Sequence, residues 1–588
     1  MRGDGINRAL LAATLVVAMA QAACGTETPA PDDGTDPGIL GDNGLGRGRE
    51  NGGKPAEPPP PSPGTDAEAP AEDTRLEGTL ALVPLSTIRV PRPIGGDIIN
   101  QEAAIALGKA FFWDVQVGSD GAVACASCHY HAGTDDRRMN TLHPGADGAF
   151  DSGGVTAAGQ LFDGSNIAGT SDDRVGSQGV IGGTFVASSK NSPVDMCTPN
   201  EQAPFFGNRQ VTDRNTPTAI GAVYYRVNFW DGRASDQFNG ADPFGGTDNA
   251  GEHLGELIGN SSLASQSVGP PLNPTEMSCA GRLFNGPNSL ASKLLDAPIL
   301  GSQQVHPEDS VLGRFSAYPD NGLDCSKGPC TYRQLIVHAF GGRMAEKAQS
   351  QFSRIWGQAI QAYEATLIPD DTPLDRFLAG NASALTERQQ LGLAIFKGEA
   401  GPAVQRQLPC TVCHAGPELS DATVGAVFAN GGSKLAPFVG NDLGFHNIGV
   451  TAPFPFVPMP ANFDPGRGGV GPNGAPLSDS GSIFDMGSFK TPTLRNAELT
   501  APYFHNGSAS TLAEVVAFYN RGGNFQPAAI RPLGLTAEEQ EALVDFLGDP
   551  LTDCRVEKKR APFDHPSIDV PNGPSFPAIG AEGLGACP

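Results

Sequence analysis

The pentapeptide CxxCH occurs twice in this chain of 588 residues, as CASCH at 125–129 and as CTVCH at 410–414. Two thiols three positions apart can add to the two vinyl groups of one haem, and the histidine that follows then ligates the iron. The alternatives are a zinc half-site, a thioredoxin-like dithiol or a disulfide. A zinc site needs clustered pairs, whereas these pairs are almost three hundred residues apart, and a dithiol does not need the same histidine twice. The repeat therefore predicts two covalently bound c-type haems.

Each motif supplies two thiols and one iron ligand to its haem. The residues concerned are Cys125, Cys128 and His129 for the first haem, and Cys410, Cys413 and His414 for the second.

A second repeat precedes the haem motifs. LGKAFF at 107–112 precedes the first and LGLAIF at 391–396 the second, at almost the same distance, and both have apolar residues at helical spacing. The stretch TERQ from Thr386 is a capping box that would open the second helix, and TAEE from Thr536 would open a further helix that Gly548 can close. We therefore predict a mainly α fold with two small cytochrome c-like haem domains.

Composition predicts long loops and bears on the kind of partner. The chain has 76 glycines and 51 prolines, which indicates helices embedded in extended loops. Its formal charge of -25 argues against nucleic acid as a partner and favours solubility.

The first residues resemble an export signal. Arg2 and Arg8 precede an apolar stretch too short to span a bilayer, and Cys24 is followed by Gly25, as in lipoprotein processing. Cleavage after Ala18-Met19-Ala20 is the alternative. Residues 1–24 are predicted as a lipoprotein-type signal peptide and 25–78 as a disordered tether. These features predict a periplasmic protein anchored by lipid to the outer membrane, with no other attachment to a membrane.

Cysteine usage agrees with an oxidising compartment. Of 11 cysteines, four are assigned to haem and Cys24 to processing, which leaves six for three disulfides. We predict pairs between Cys325 and Cys330 and between Cys554 and Cys587. The pairing of Cys197 and Cys279 stays open.

Four further segments carry a family resemblance: RNTPT (214–218), NFWDGRAS (228–235), NPTEM (273–277) and the long stretch 489–523 that begins FKTPTLRN. With the two CxxCH motifs, and in this order, they resemble the bacterial dihaem cytochrome c peroxidases and their relative MauG, from about residue 80 to about 550. The resemblance implies three regions. They are an N-terminal peroxidatic haem domain with insertions (79–345), a C-terminal electron-transfer haem domain (346–550) and a tail (551–588).

The resemblance also implies roles for residues. The haem on His129 would be peroxidatic, and the haem on His414 would feed it electrons, with Trp230 between them. Glu276 would be the general acid/base above the peroxidatic iron, and Gln266 would line the same pocket. A carboxylate suits this role because peroxide must lose a proton from one oxygen and gain one on the other.

A calcium ion lies between the haems in this family. By resemblance its ligands here would be the side-chain amide of Asn215 and the backbone carbonyls of Thr500 and Pro502, which are acceptable neutral oxygen donors. His505 also matches a family position, and we expect only a polar contact near the haem edge from it.

The sequence departs from the peroxidase pattern in three places. Insertions at about 132–210 and at 236–264 could cover the peroxide channel or form a partner surface. In many of these enzymes a histidine upstream of RNTPT caps the resting peroxidatic iron. Counting back from Trp230 without gaps, the corresponding position here is Gly207, and no histidine lies between His143 and His253. The sixth ligand of the second haem, usually methionine, is replaced at its position by Tyr519, a MauG-like choice, with Met459 or Met486 as alternatives.

Three classes of function follow. The first is a peroxidase that reduces hydrogen peroxide with electrons from a small periplasmic cytochrome c or cupredoxin. The second is a MauG-like oxidase of a partner protein or organic molecule. The third is a non-catalytic electron carrier, against which Glu276 argues. Whether the protein forms a homodimer is left open.

Overall fold

The computed structural model describes residues 75–588, except 146, 163–171, 191, 201–203, 401–408, 437–439, 451–463, 482 and 527. The predicted signal peptide, Cys24 and most of the predicted tether lie outside the described residues. The tether was expected to continue to residue 78, but regular contacts begin earlier. The N–H of Leu76 donates to the carbonyl of Thr87 at 2.9 Å, and the carbonyl of Leu76 accepts from the N–H of Arg89 at 2.8 Å. The predicted boundary at 78 is therefore a few residues too late.

Within the described residues there are thirteen α-helices and several short 3-10 helices. The α-helices are α1 (Gln101–Trp113), α2 (Ala126–His129), α3 (Ser262–Ser267), α4 (Leu290–Leu294), α5 (Tyr332–Phe340), α6 (Gly342–Glu346), α7 (Phe352–Glu364), α8 (Pro373–Leu378), α9 (Glu387–Phe396), α10 (Val424–Ala429), α11 (Leu512–Arg521), α12 (Ala537–Leu547) and α13 (Cys554–Glu557). The 3-10 helices are Leu85–Thr87, Val115–Val117, Ala222–Tyr224, Pro270–Leu272, Gly313–Phe315, Ala382–Ala384, Cys410–Val412, Ile483–Asp485, Ala497–Leu499 and Asp549–Leu551.

Short strands accompany the helices. They are β1 (Leu142–His143), β2 (Arg174–Val175), β3 (Gln178–Ile181), β4 (Gly183–Ala187), β5 (Met196–Pro199), β6 (Arg209–Val211), β7 (Phe445–His446), β8 (Phe489–Lys490), β9 (Ile568–Asp569) and β10 (Ser575–Phe576). They form antiparallel pairs β1–β2, β3–β6, β4–β5, β7–β8 and β9–β10. The helices agree with the predicted mainly α fold, but the small sheets were not predicted.

The first core is built around the helix that precedes the first haem motif. The side chain of Asn100 caps α1 by accepting from the N–H of Ala103. Helix α1 packs along α7 and is flanked by α5. At the crossing a Cβ atom on Gly108 would lie 1.9 Å from the carbonyl oxygen of Ala359, so only glycine permits this approach of the two helices.

The second core repeats this arrangement. The predicted capping boxes are confirmed, because the Thr386 hydroxyl accepts from Gln389 N–H at the start of α9, and the Thr536 hydroxyl from Glu539 N–H at the start of α12. Helix α9 packs along α12, and Gly392 has the same position at their crossing that Gly108 has in the first core. The duplicated sequence therefore corresponds to a duplicated helix pair.

The two cores do not divide at the predicted domain boundary. The first core continues through Phe352 and Trp356 to Leu367, whereas the second begins at Leu374. Helix α7 lies after residue 345 but completes the first core, because it is the partner of α1. In the packing, the first core therefore gives way to the second between Leu367 and Leu374, and not between residues 345 and 346.

The predicted tail packs back on the first core. Val556, Phe563 and Ile568 are buried in it. The buried Lys109 ammonium of α1 lies 2.9 Å from Asp309 and 3.2 Å from Asp564 carboxylate oxygens. A buried cation with two carboxylates this close fixes the tail to α1.

The tail also reaches the loop that carries the first haem motif. Arg137 donates to the carbonyl of Pro571 at 3.1 Å, and the rings of Tyr130 and Phe576 lie 5.6 Å apart. Arg137 also contacts the Cys128 sulfur at 3.5 Å. The last part of the chain therefore supports one side of the first haem motif.

The described residues contain three disulfides. The predicted pairs Cys325–Cys330 and Cys554–Cys587 are confirmed, and Cys197 pairs with Cys279. The Cys197–Cys279 bond joins the β4–β5 hairpin of the first insertion to the segment that follows Glu276. Among the described residues no helix has the length and apolar character that crossing a membrane requires.

Candidate active site

The first CxxCH motif forms the short helix α2. The Nδ1 atom of His129 lies 2.7 Å from the carbonyl oxygen of Gly133, and because a carbonyl can only accept, Nδ1 carries the proton. Its Nε2 atom is then left with a lone pair. Burial lowers the pKa of His129, which favours the neutral imidazole that an iron ion requires.

The second motif has the same internal geometry. The Nδ1 atom of His414 lies 3.1 Å from the carbonyl oxygen of Leu419, and burial again lowers the pKa of the histidine. All four motif cysteines are free thiols. Each site thus offers two thiols and one neutral, oriented imidazole, which fits covalent attachment of a haem.

A small cavity adjoins the first motif and brings together the residues predicted for peroxide chemistry. Its lining includes Cys125, Cys128, His129, Gln266 and Glu276. The Glu276 Oε1 atom accepts from the Asn273 side chain at 2.8 Å. Burial raises the pKa of Glu276 to about 7, and the nearby Arg233 opposes this shift. The carboxyl can therefore gain or lose a proton near neutral pH.

Glu364 of α7 lines the same cavity and was not predicted. Burial alone raises the pKa of this carboxyl to about 8, and among the described residues its side chain has no hydrogen-bond partner. In the sequence it stands in an ordinary helical stretch, QAIQAYEATL, so no local signal distinguishes it from a surface carboxylate.

The position expected for the capping histidine does not line the small cavity. Gly207, on which the gap-free count lands, is exposed and does not line the small cavity. Of the described residues that do line it, His129 is the only histidine.

A larger cavity of about 350 Å³ adjoins the second motif. Cys410, Cys413, His414 and Tyr519 line it. Burial raises the pKa of Tyr519, and its hydroxyl has no hydrogen-bond partner among the described residues. Met486 is not among the lining residues and lies instead against Gly468, while Met459 lies outside the described residues. Of the three candidate ligands, Tyr519 is the one seen beside His414.

Trp230 lies on the wall of the larger cavity. Its Nε1 donates to the carbonyl of Asn215 at 2.7 Å, and its ring centroid is 6.3 Å from that of His505. His505 is buried, stacks on Phe489 at 3.5 Å and has no partner for Nε2 within the described part of the chain. Burial lowers the pKa of His505 to about 3, so the ring is neutral.

The predicted calcium ligands also meet in the larger cavity. Asn215, Thr500 and Pro502 all line it, and the Asn215 Nδ2 atom lies 2.6 Å from the carbonyl oxygen of Pro502. Exchange of the amide nitrogen and oxygen would place two neutral oxygens side by side, and neutral oxygens are ligands that calcium accepts.

Four residues line both cavities and form the wall between them: Pro217, Thr218, Tyr225 and Lys490. Pro217 and Thr218 belong to the RNTPT segment and Lys490 to FKTPTLRN, but no role for Tyr225 or Lys490 was predicted from the sequence.

Comparison with known proteins gives one family. A family model described as di-haem cytochrome c peroxidase matches residues 102–383. Cytochrome-c peroxidase IdrP2 of Denitromonas iodatirespirans is 36% identical over 202 residues, which cover 34% of this chain and 50% of the relative. IdrP2 of Pseudomonas sp. is 37% identical over 256 residues, 40% of this chain and 64% of the relative. Methylamine utilization protein MauG of Methylorubrum extorquens is 28% identical over 242 residues, 41% of this chain and 51% of the relative.

The chain spans about half the length of the first of these curated relatives. Among solved structures, the diheme peroxidase BthA from Burkholderia thailandensis matches 84% of this chain and 94% of its own, with 18% identity and a TM-score of 0.39.

Proposed function

Since the chain belongs over residues 102–383 to the di-haem cytochrome c peroxidase family, we propose that it reduces hydrogen peroxide to water. The observation that carries this proposal is the position of Glu276, which lines the same small cavity as His129 and has a pKa raised to about 7. A pure electron carrier has no use for a titratable carboxyl at that place.

The reaction consumes two electrons and two protons for each peroxide and yields two waters. When bound, the two haems supply the redox chemistry. Glu276 accepts the proton of the peroxide oxygen that binds and donates it to the oxygen that leaves. Asn273 donates to Oε1 of Glu276, which leaves Oε2 for the substrate. The Gln266 amide, on the same wall, orients the peroxide.

Electrons enter at the second haem site in this proposal. A small periplasmic cytochrome c or cupredoxin would deliver electrons at the site where His414 would hold a haem, and Trp230 would lie on the path toward the site of His129. A calcium ion held by Asn215, Thr500 and Pro502 would fix the segments on which that path depends. The protein acts in the periplasm, attached to the outer membrane through a lipid on Cys24.

A MauG-like oxidase of a partner protein or organic molecule is the second candidate. Tyr519 on the wall beside His414 favours it, because a phenolate is a harder donor than a thioether and stabilises oxidised iron.

The deciding experiment is a steady-state assay of the purified dihaem protein with peroxide and reduced cytochrome c or cupredoxin. We expect two haems per chain that resist acid-acetone extraction. We also expect turnover that begins from the fully oxidised protein, since His129 is the only histidine among the described residues that line the small cavity. Inertness toward peroxide with every donor, together with peroxide-dependent oxidation of a partner, would replace the first candidate by the second.

A further inference from the structure

Lys490 is a buried lysine on the wall that separates the two cavities. It is 4% exposed, and its backbone N–H donates to the carbonyl of Trp230 at 2.8 Å, which joins the backbones of the two residues. Its ammonium lies 3.1 Å from the centroid of the Tyr225 ring. Within the described part of the chain, this cation–π contact is its single polar interaction, since neither a carboxylate nor a hydrogen-bond acceptor reaches Nζ.

A buried ammonium without an anion is costly. Burial lowers the pKa of Lys490 well below its usual value, and no charge on the described residues opposes the shift. The Tyr225 ring compensates only in part, because a cation–π contact is much weaker than the hydration that a buried ammonium loses. The described residues therefore do not supply the anion that a buried ammonium requires.

The arginines that line the larger cavity are either paired with a carboxylate or exposed to solvent. Arg495 lines the larger cavity, but its guanidinium lies 2.7 Å from an Asp375 carboxylate oxygen. Arg531 lines the same cavity and is exposed. Of the described residues that line the small cavity, Lys490 is the only lysine or arginine.

The missing anion matches the cofactor expected at both sites. Each haem carries two propionate carboxylates, and haems attached at the two CxxCH motifs would occupy the cavities that Lys490 separates. We propose that Lys490 pairs with a haem propionate at this shared wall and that its charge acts on both irons. The inference rests on the two haems of the proposed function, but not on the identity of the substrate.

A positive charge on Lys490 would act on the reduction potentials of both haems. A positive charge stabilises the reduced form of a nearby iron centre, and in a poorly solvated wall its effect extends to both sides. Removing the charge should therefore lower the midpoint potentials of both haems.

The test compares Lys490→Met, which keeps the length and removes the charge, with Lys490→Arg, which keeps the charge. Lys347→Met, at an exposed position after α6, is the control for loss of a lysine elsewhere. Spectroelectrochemical titration gives both potentials, and resonance Raman spectra report the propionate bending modes. We expect lower potentials for both haems and shifted propionate bands in Lys490→Met, with values close to the parent in Lys490→Arg and Lys347→Met.

Unchanged potentials and propionate bands in Lys490→Met would overturn the pairing, and a change confined to one haem would overturn its shared action. Haem content and circular dichroism establish that the variant is folded, and Lys490→Gln replaces it if Lys490→Met is not. Because potentials are measured without peroxide, the result is independent of whether the protein turns over peroxide.

Discussion

Gly392 of α9 lies against the backbone of Ala542 in α12, so closely that a Cβ atom on residue 392 would be 2.1 Å from the Ala542 carbonyl oxygen. Gly108 and Ala359 have the same relationship in the first core. A backbone carbonyl within a helix cannot move aside as a flexible side chain can. Both helix pairs thus depend on one glycine at their crossing.

Replacing Gly392 by Ala should destabilise the protein by about 1–3 kcal/mol, because overpacking at the crossing exceeds the gain of up to about 1 kcal/mol in helix propensity. Urea unfolding of the holoprotein measures this. Gly342→Ala is the matched control, since Gly342 lies in α6 and a Cβ atom added there would meet no described atom within 4 Å. Equal stability of the two variants would show that the crossing can relax.

Glu276→Gln should slow peroxide turnover by about a hundredfold or more and leave both haem spectra nearly intact, because the amide keeps the shape but cannot move a proton. In the parent protein the rate should fall as the pH decreases below about 7, where the carboxylate that must accept the peroxide proton becomes protonated. The variant should lose this dependence. Glu387→Gln, in the exposed first turn of α9, is the control. Full activity of Glu276→Gln would assign the proton transfer to another group, with Glu364 as the next candidate.

The sequence predicts best those features that depend on neighbouring residues. The caps at Thr386 and Thr536, and the Cys325–Cys330 bond, each join residues a few positions apart. The family resemblance added distant residues such as Glu276 and Gln266, which the structure places in one cavity with His129.

Features that arise only from tertiary packing were missed. The ion pair between Lys109 and Asp564 joins the tail to the first core, and nothing near either residue in the sequence indicates the other. The same holds for the bond between Cys197 and Cys279, and for Lys490, which becomes unusual only because two cavities meet at its side chain.

Tyr519→Phe should change the absorption and electron paramagnetic resonance spectra of the second haem, since the phenolic oxygen is the proposed ligand to iron. Its ability to hold an oxidised state should also decrease. Met486→Leu is the matched variant and should leave these spectra unchanged, because Met486 does not line the cavity. The opposite pattern would make Met486 the ligand.

Removal of calcium by a chelator should lower the thermal stability of the holoprotein and slow electron transfer between the haems, because Asn215 and Pro502 would lose their common partner. Asn215→Ala should show a similar loss in the presence of calcium and no further loss with chelator. A chelator effect that persists undiminished in Asn215→Ala would place the ion elsewhere.

Cys24→Ser should release the protein from the membrane fraction into the soluble periplasmic fraction, because the anchor is proposed to be the acyl chains on this cysteine. Immunoblotting of fractionated cells measures the distribution. A soluble parent protein would instead favour ordinary cleavage after Ala20.

The return of the tail to the first haem motif sets an order of assembly. Ribosomes make residues 125–129 long before 554–587, so the first CxxCH motif emerges without the segment that contacts Tyr130 and Arg137. During that interval the loop lacks the contacts that the tail provides. The Cys554–Cys587 bond can form only after the tail has been made, and it then closes the region that packs beside the first motif. The contacts around the first CxxCH motif are therefore completed only by the last part of the chain.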